Sequence, residues 1–192
     1  MDGATAQSMR SKGLEYGLNW GATLPRLRER ADELKSDAAV SLYDLALALW
    51  KENVRECKIL ATMLMPPEEI LPEVVDIWME QTPNVEIAEQ AAFNLYQHLP
   101  YAAEKAFIWI SSEHDLPQIV GYHVLSQLFA RRQEPNERGI NEFVDQALAA
   151  LQSDNLLLRK AAMQSLVHFS EMGLLYQRIA RSAIRTIHLD FI

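Results

Sequence analysis

The chain has 192 residues, of which 49% are hydrophobic and 23% are charged, and its formal net charge is −8. This composition is typical of a globular domain, and it excludes a collagen-like or largely disordered chain. The longest apolar runs are far shorter than the ~20 residues of a membrane-spanning helix, and no signal peptide is apparent. Cys57 is the single cysteine. We therefore expect a cytoplasmic protein that has neither disulfides nor membrane contact.

The acidic excess lies in the middle of the chain. No lysine or arginine occurs between Lys58 and Lys105, and that segment contains eight aspartates and glutamates. Nucleic-acid binders normally present a basic face, so such a face would have to come from the two ends of the chain. The acidic segment either solvates two helices or binds a basic or amphipathic partner protein.

Apolar residues at spacings of three and four predict helices along the whole chain. Residues 1–12 are expected to be a partly ordered lead-in. Of about ten helices, nine are assigned to 37–50, 54–65, 68–80, 84–98, 100–112, 116–132, 137–152, 155–169 and 174–188. Asn84 is the predicted N-cap of the fourth helix in this series, and Ser153 or Asp154 that of the eighth.

Four of the predicted helices resemble one another. Their matching segments, 54–64, 85–95, 118–128 and 156–166, begin 31, 33 and 38 residues apart. This loose period is typical of helix-pair repeats, in which stacked pairs build a core that one pair cannot form alone. We predict an all-α fold, an α-solenoid of about five stacked antiparallel HEAT-like helix pairs in a single domain over 1–192. A plain helical bundle is the alternative.

Two motifs carry a family resemblance. Gly21-x-x-x-Pro25-x-x-Arg28 is followed by Leu49-Trp50-x-x-x-x-Arg55-Glu56, and the segments 109–113 and 153–162 look like turns between repeats. In this order and spacing, over about residues 9–170, they resemble the AlkD-like HEAT-repeat DNA glycosylases of the DNA alkylation repair family. The resemblance implies a curved stack of helix pairs that removes cationic alkylated purines from duplex DNA, without metal, cofactor or bound nucleotide.

That reaction requires a carboxylate beside the sugar, because positive charge develops there as the purine leaves. An aromatic ring can stabilise the same charge, and basic side chains hold the phosphates. The resemblance places the catalytic carboxylate at Glu89. It places Val85 at the position of the family's aromatic residue and Ile119 at that of its arginine. Any glycosylase chemistry therefore depends on Glu89; the alternative is a solvated carboxylate on a helix face.

The candidate contacts to the DNA backbone are Arg26, Arg28, Arg55, Arg159 and Lys160. Each has a structural alternative. Arg26 and Arg28 could balance Glu29 and Asp32, and Arg55 could pair with a neighbouring glutamate. Arg159 and Lys160 open a helix, where backbone N–H groups also favour an anion.

Other chemistry is weakly indicated. Glu86 and Glu89 share a helix face, but no histidine or cysteine at ligand spacing joins them, so we expect no metal site. Cys57 is expected to be a buried, inert thiol, and the four tryptophans to be core residues. The second candidate function is a catalytically inactive helical-repeat scaffold that binds a partner protein through the acidic middle of the chain.

Overall fold

The computed structural model of the chain describes Gln7 and residues 18–187, so the predicted lead-in over 1–12 lies outside the described residues except for Gln7. The described part from residue 18 onward contains ten α-helices and a 3-10 turn, Tyr96–His98, after the fifth helix. The helices are α1 (Leu24–Lys35), α2 (Leu42–Lys51), α3 (Arg55–Leu64), α4 (Pro72–Glu80), α5 (Val85–Asn94), α6 (Ala102–Ile110), α7 (Asp115–Ala130), α8 (Glu137–Leu151), α9 (Leu156–Glu171) and α10 (Leu174–Thr186).

The helix starts follow local capping chemistry. The Asn84 side chain accepts a hydrogen bond from the Ile87 N–H at 3.1 Å, so the predicted N-cap of α5 is confirmed. The N-cap of α9 is Asn155, so the prediction of Ser153 or Asp154 as the N-cap is wrong. The Ser153 hydroxyl instead accepts the Asn155 N–H at 3.1 Å. These side chains satisfy backbone donors that a helix start otherwise leaves unpaired.

Other boundaries differ from the sequence predictions. Helix α1, over Leu24–Lys35, was not among the assigned helices. Helix α4 begins at Pro72 and not at residue 68, because proline lacks an N–H and its fixed φ suits the first helical position. Helix α5 ends at Asn94, and the rest of the predicted segment forms the 3-10 turn.

The chain divides after Pro100 into two compact units. In the first unit, α3 packs between α1 and α5 and also against α2. Helices α3 and α5 run parallel, since Arg55 meets Glu86 near their starts and Thr62 meets Asn94 near their ends. The Trp50 and Trp78 rings, from α2 and α4, stack with centroids 4.2 Å apart. Both rings are buried, as the sequence predicts.

In the second unit, α7 packs between α6 and α9, and α9 also packs on α8 and α10. Asn155 bonds Asp115 at 2.7 Å near the starts of α9 and α7. Ser126 and His168 meet at 2.8 Å farther along, so these two helices also run parallel. The core holds Phe129, Phe143, Phe169 and Tyr176 in ring contacts of 4.9–5.4 Å between centroids.

The helix pattern confirms the predicted all-α, HEAT-like class of fold. Helices α3, α5, α7 and α9 are the four segments that resemble one another in sequence. Among the described helices, none combines the length and apolar character that crossing a bilayer would require.

Candidate nucleic-acid interface

Arg55, the first residue of α3, lies in a buried ion pair. Its side chain is 2% exposed, and its Nε and Nη2 donate to the two carboxylate oxygens of Glu86 at 2.9 and 2.6 Å. Its Nη1 donates to the Ala22 carbonyl at 2.9 Å. A guanidinium so enclosed cannot reach a DNA phosphate, so the prediction of Arg55 as a backbone contact is replaced by its structural alternative. Its partners are Glu86, 31 residues farther along the chain, and the neighbouring Glu56, whose carboxylate lies 3.5 Å from Nη1.

Glu56 fixes the segment that precedes α1. Its buried carboxylate accepts the N–H groups of Trp20 and Ala22, each at 3.1 Å. Between them Gly21 has φ 75°, a left-handed conformation that glycine adopts without strain. The two motifs that carry the family resemblance, around Gly21 and Arg55-Glu56, are therefore joined by direct hydrogen bonds. Trp20 itself is 40% exposed, so it departs from the prediction that all four tryptophans are core residues.

The Arg55–Glu86 pair also positions the start of α5. Glu86 lies in the first turn of α5, just after the Asn84 N-cap, and its carboxylate is occupied by Arg55. Glu89 is half-buried one turn farther along, and Phe93 follows after another turn. Residues four apart on a helix share a face. Glu89 and Phe93 thus lie side by side on a helix whose first turn is held by a buried ion pair.

Arg26 and Arg28 lie on different sides of α1. Arg26 lines a cavity of about 670 Å³ together with Glu29, Glu33 and the buried Glu56. Arg28 lines a separate cavity of about 260 Å³, whose opposite wall contains Phe93. The buried residues Leu27 and Ala31 separate the two sides. The two candidate arginines therefore line different cavities, and only Arg28 shares one with Phe93.

Neither Arg26 nor Arg28 forms an ion pair with a described residue. The structural alternative, in which Glu29 and Asp32 pair with these two arginines, is therefore not seen among the described residues. On the same helix, Arg30 is paired with Glu33 at 2.7 Å.

We call the cavity that contains Arg28 the α1–α5 cavity. Its lining comes from four elements: Arg28, Ala31, Asp32 and Lys35 of α1, Met63 of α3, Phe93 and Asn94 of α5, and His98 of the 3-10 turn.

Arg159 and Lys160 lie in the first turns of α9, as predicted, and belong to the second unit. The Arg159 Nη1 donates to the Ser153 carbonyl at 2.6 Å. Lys160 is exposed, and no described residue pairs with its ammonium group. The Asn155 side chain already accepts the Leu157 and Leu158 N–H groups. An anion at this helix start would therefore depend on the two cationic side chains more than on the backbone.

The structure also locates the two positions at which the sequence departs from the family pattern. Val85 is the half-buried first residue of α5, and Ile119 is 1% exposed in the core of the second unit. Neither offers charge or an aromatic ring to a ligand. The first unit does supply an aromatic side chain near Glu89, but it is Phe93, one turn after the carboxylate and not one turn before it.

The acidic segment is mostly solvent-exposed. Glu68, Glu69, Glu73, Asp76, Glu80 and Glu104 are exposed, whereas Glu86 and Glu89 are half-buried. Among residues 18–187 and Gln7, no three histidine, cysteine, aspartate or glutamate side chains form a cluster that could hold a metal ion. Cys57 is buried within α3, and burial, followed by the charges of Glu52 and Glu56, raises the pKa of its thiol.

Comparison with known proteins identifies the family and the fold of the chain. A family model described as DNA alkylation repair enzyme matches residues 1–161. One solved structure matches with a TM-score of 0.80 and 14% sequence identity, over 96% of this chain and 77% of that chain. It comes from a study of a new family of proteins related to the HEAT-like repeat DNA glycosylases, with affinity for branched DNA structures. No curated protein matches the chain significantly. At this identity the structural match shows the fold, whereas the family match covers most of the sequence. The chain belongs to the DNA alkylation repair enzyme family.

Proposed function

We propose that this protein binds DNA, both as a plain duplex and as branched DNA, through contacts to the sugar-phosphate backbone. The observation that carries the proposal is the placement of Arg28 and Lys35. Both are exposed, neither is paired with a described acid, and both line the cavity whose far wall holds Phe93, one turn from Glu89. Family membership and the DNA affinity described for the structural relative support it.

In this proposal the cationic side chains contact phosphates and the fold sets their positions. Arg28 and Lys35 serve in the first unit, and Arg159 and Lys160 in the second. Arg26 is not included, because it lies on the other side of α1 beside Glu29, Glu33 and Glu56. Contacts to phosphate position a protein on DNA without reading the base sequence. We therefore expect binding that depends on DNA shape and salt and only weakly on sequence.

The test is fluorescence anisotropy with two labelled probes of equal length and base composition, a blunt duplex and a four-way junction. We expect both to bind in 50 mM salt, with affinities that fall steeply by 200 mM salt because bound counterions are released. Absence of binding to either probe at 50 mM salt would contradict the proposal. That result would favour the scaffold alternative, in which the exposed acidic residues of 68–80 and Glu104 bind a basic partner protein.

A second candidate function is the release of cationic alkylated purines, and the position of Glu89 favours it. The family resemblance assigns the catalytic carboxylate to Glu89, and the ion pair of the preceding turn restrains its helix. As the bond between the sugar C1′ and the purine breaks, its electron pair leaves with the purine and neutralises it. A carboxylate at Glu89 would stabilise the cationic sugar until water adds at C1′ and loses a proton.

This second function is tested by purine release from methylated duplex DNA. We expect release by the wild type and a loss of about 100-fold or more in Glu89→Gln, a magnitude typical of removing one electrostatic catalytic group. Glu80→Gln, an exposed carboxylate at the end of α4, is the matched control and should release purine normally. Equal release by wild type and Glu89→Gln would exclude Glu89 as the catalytic group.

A further inference from the structure

The α1–α5 cavity combines cationic and aromatic side chains around one opening. Arg28 and Lys35 extend from one wall, seven residues apart and hence on the same face of α1. Phe93, 37% exposed, and His98 come from the opposite wall, and Met63 of α3 lies between the walls. Among the described residues of the lining, Asp32 is the one acidic side chain beside Arg28 and Lys35, so these residues carry an excess of positive charge.

These side chains match the two parts of a nucleotide. A positively charged groove with an aromatic platform is the combination with which proteins bind unstacked nucleic acid, because every base has a π-face and every nucleotide a phosphate. The cavity has a volume of about 260 Å³. This is just below the ~300–1,000 Å³ typical of pockets for drug-sized ligands, so it has room for about one base and not for a run of stacked bases.

We infer that the α1–α5 cavity binds a single unstacked nucleotide of a DNA strand, with the base against Phe93 and its phosphates held by Arg28 and Lys35. The inference rests on the proposed DNA binding and names the element of DNA structure that this site recognises. Branched, bulged and damaged duplexes expose such nucleotides at low energetic cost, whereas an intact duplex does not. The cavity therefore gives the protein a preference for distorted DNA.

The location of the cavity along α5 connects this preference to the candidate carboxylate. Phe93 and Glu89 are four residues apart on the same helix face, so their β-carbons lie roughly 5–6 Å from each other. A nucleotide whose base contacts Phe93 brings a neighbouring sugar close to the first turns of α5. Recognition and candidate chemistry thus share one face of α5.

The experiment compares two labelled duplexes that differ only by one unpaired, bulged thymidine. We expect the wild type to bind the bulged duplex about tenfold more tightly, because one base–aromatic contact is typically worth about that much. Phe93→Ala and Lys35→Glu should abolish this preference, and Phe93→Tyr, which keeps a ring, should retain it. Ile77→Ala and Lys51→Glu are the controls: Ile77 is an exposed apolar residue of α4, and Lys51, like Lys35, is exposed at the end of its helix.

The outcomes separate this inference from the proposed function. Equal binding of bulged and blunt duplexes by the wild type, or a preference that survives Phe93→Ala and Lys35→Glu, would overturn the inference and leave DNA binding intact. Absence of binding to both duplexes would overturn the two together. Displacement of the bulged probe by micromolar thymidine monophosphate would assign the cavity to free nucleotides and would overturn its assignment to a DNA strand.

Discussion

Arg55 and Glu86 are joined by a two-point ion pair, with the shorter contact 2.6 Å from Nη2 to the carboxylate. The pair links the first residue of α3 to the first turn of α5, and the same guanidinium bonds the Ala22 carbonyl ahead of α1. The two motifs that carry the family resemblance and the first turn of α5 therefore meet at one side chain. Planar guanidinium groups suit this task because they donate in several fixed directions at once.

Replacing Arg55 with methionine should lower the free energy of unfolding by about 3–5 kcal/mol, because the change leaves buried carboxylates without their cation. Arg30→Met is the matched control. It removes an exposed pair with Glu33, whose side chains are 59% and 65% exposed, and should cost less than ~1 kcal/mol. Urea denaturation measures both. Equal effects of the two changes would show that the Arg55 pair does not hold the fold together.

The coupling between Arg55 and Glu86 can be measured separately. Glu86→Gln should destabilise less than Arg55→Met, because the glutamine amide oxygen can still accept from the guanidinium, which also keeps its contacts to Glu56 and the Ala22 carbonyl. In the double variant Arg55→Met, Glu86→Gln the loss should be smaller than the sum of the two single losses, by about 1–3 kcal/mol. Strict additivity would mean that the two side chains do not interact in solution.

The pH dependence of stability should reveal the buried thiol of Cys57. Burial raises its pKa in the folded state, so above the thiol's ordinary pKa the unfolded chain ionises while the folded chain stays protonated. The stabilising contribution is therefore complete below that ordinary value and is lost as the pH rises towards the folded-state pKa. Wild type should lose stability relative to Cys57→Ala between pH 7 and pH 9.5, measured by urea denaturation. Parallel pH profiles would contradict the assignment.

Helix α6 packs closely on α7 because Gly121 of α7 has no side chain. A Cβ at Gly121 would lie 2.9 Å from the Ala106 carbonyl oxygen and 3.0 Å from the Ile110 nitrogen, so backbone would have to move. Gly121→Ala should cost about 1–3 kcal/mol, as overpacked cores do. At Gly173 a Cβ would have its nearest neighbour at 3.9 Å, so Gly173→Ala should stay within about 1 kcal/mol of wild type. Comparable losses in thermal or urea unfolding would contradict this packing.

The parts of the fold that were predictable from sequence are those set by local chemistry. Asn84 was identifiable as an N-cap because its side chain bonds a donor three residues away. The N-cap of α9 was misplaced because Ser153, Asp154 and Asn155 are all good capping residues, and their competition is decided by geometry. In the structure Asn155 bonds both its own helix and the Asp115 carboxylate of α7, which favours it over its neighbours.

The candidate site was less predictable because its contacts cross between repeats. The repeat spacing nevertheless contains a usable signal: the first two repeats begin 31 residues apart, and Arg55–Glu86 and Trp50–Gln81 are each separated by 31 residues. Pairing each residue with the one a repeat later would have identified Glu86 as the partner of Arg55. The separation of Arg26 from Arg28 follows from the ~100° turn per residue of a helix, once Leu27 is known to be buried.

The central claim is that DNA binds on the Arg28 side of α1. The most direct measurement is the affinity for a blunt duplex in 50–200 mM salt, compared between Arg28→Glu and Arg26→Glu, which make the same charge change two residues apart. We expect Arg28→Glu to weaken binding at least tenfold and to lower the salt dependence by about one phosphate contact, while Arg26→Glu stays close to wild type. Equal loss in both variants, or a larger loss in Arg26→Glu, would contradict the account.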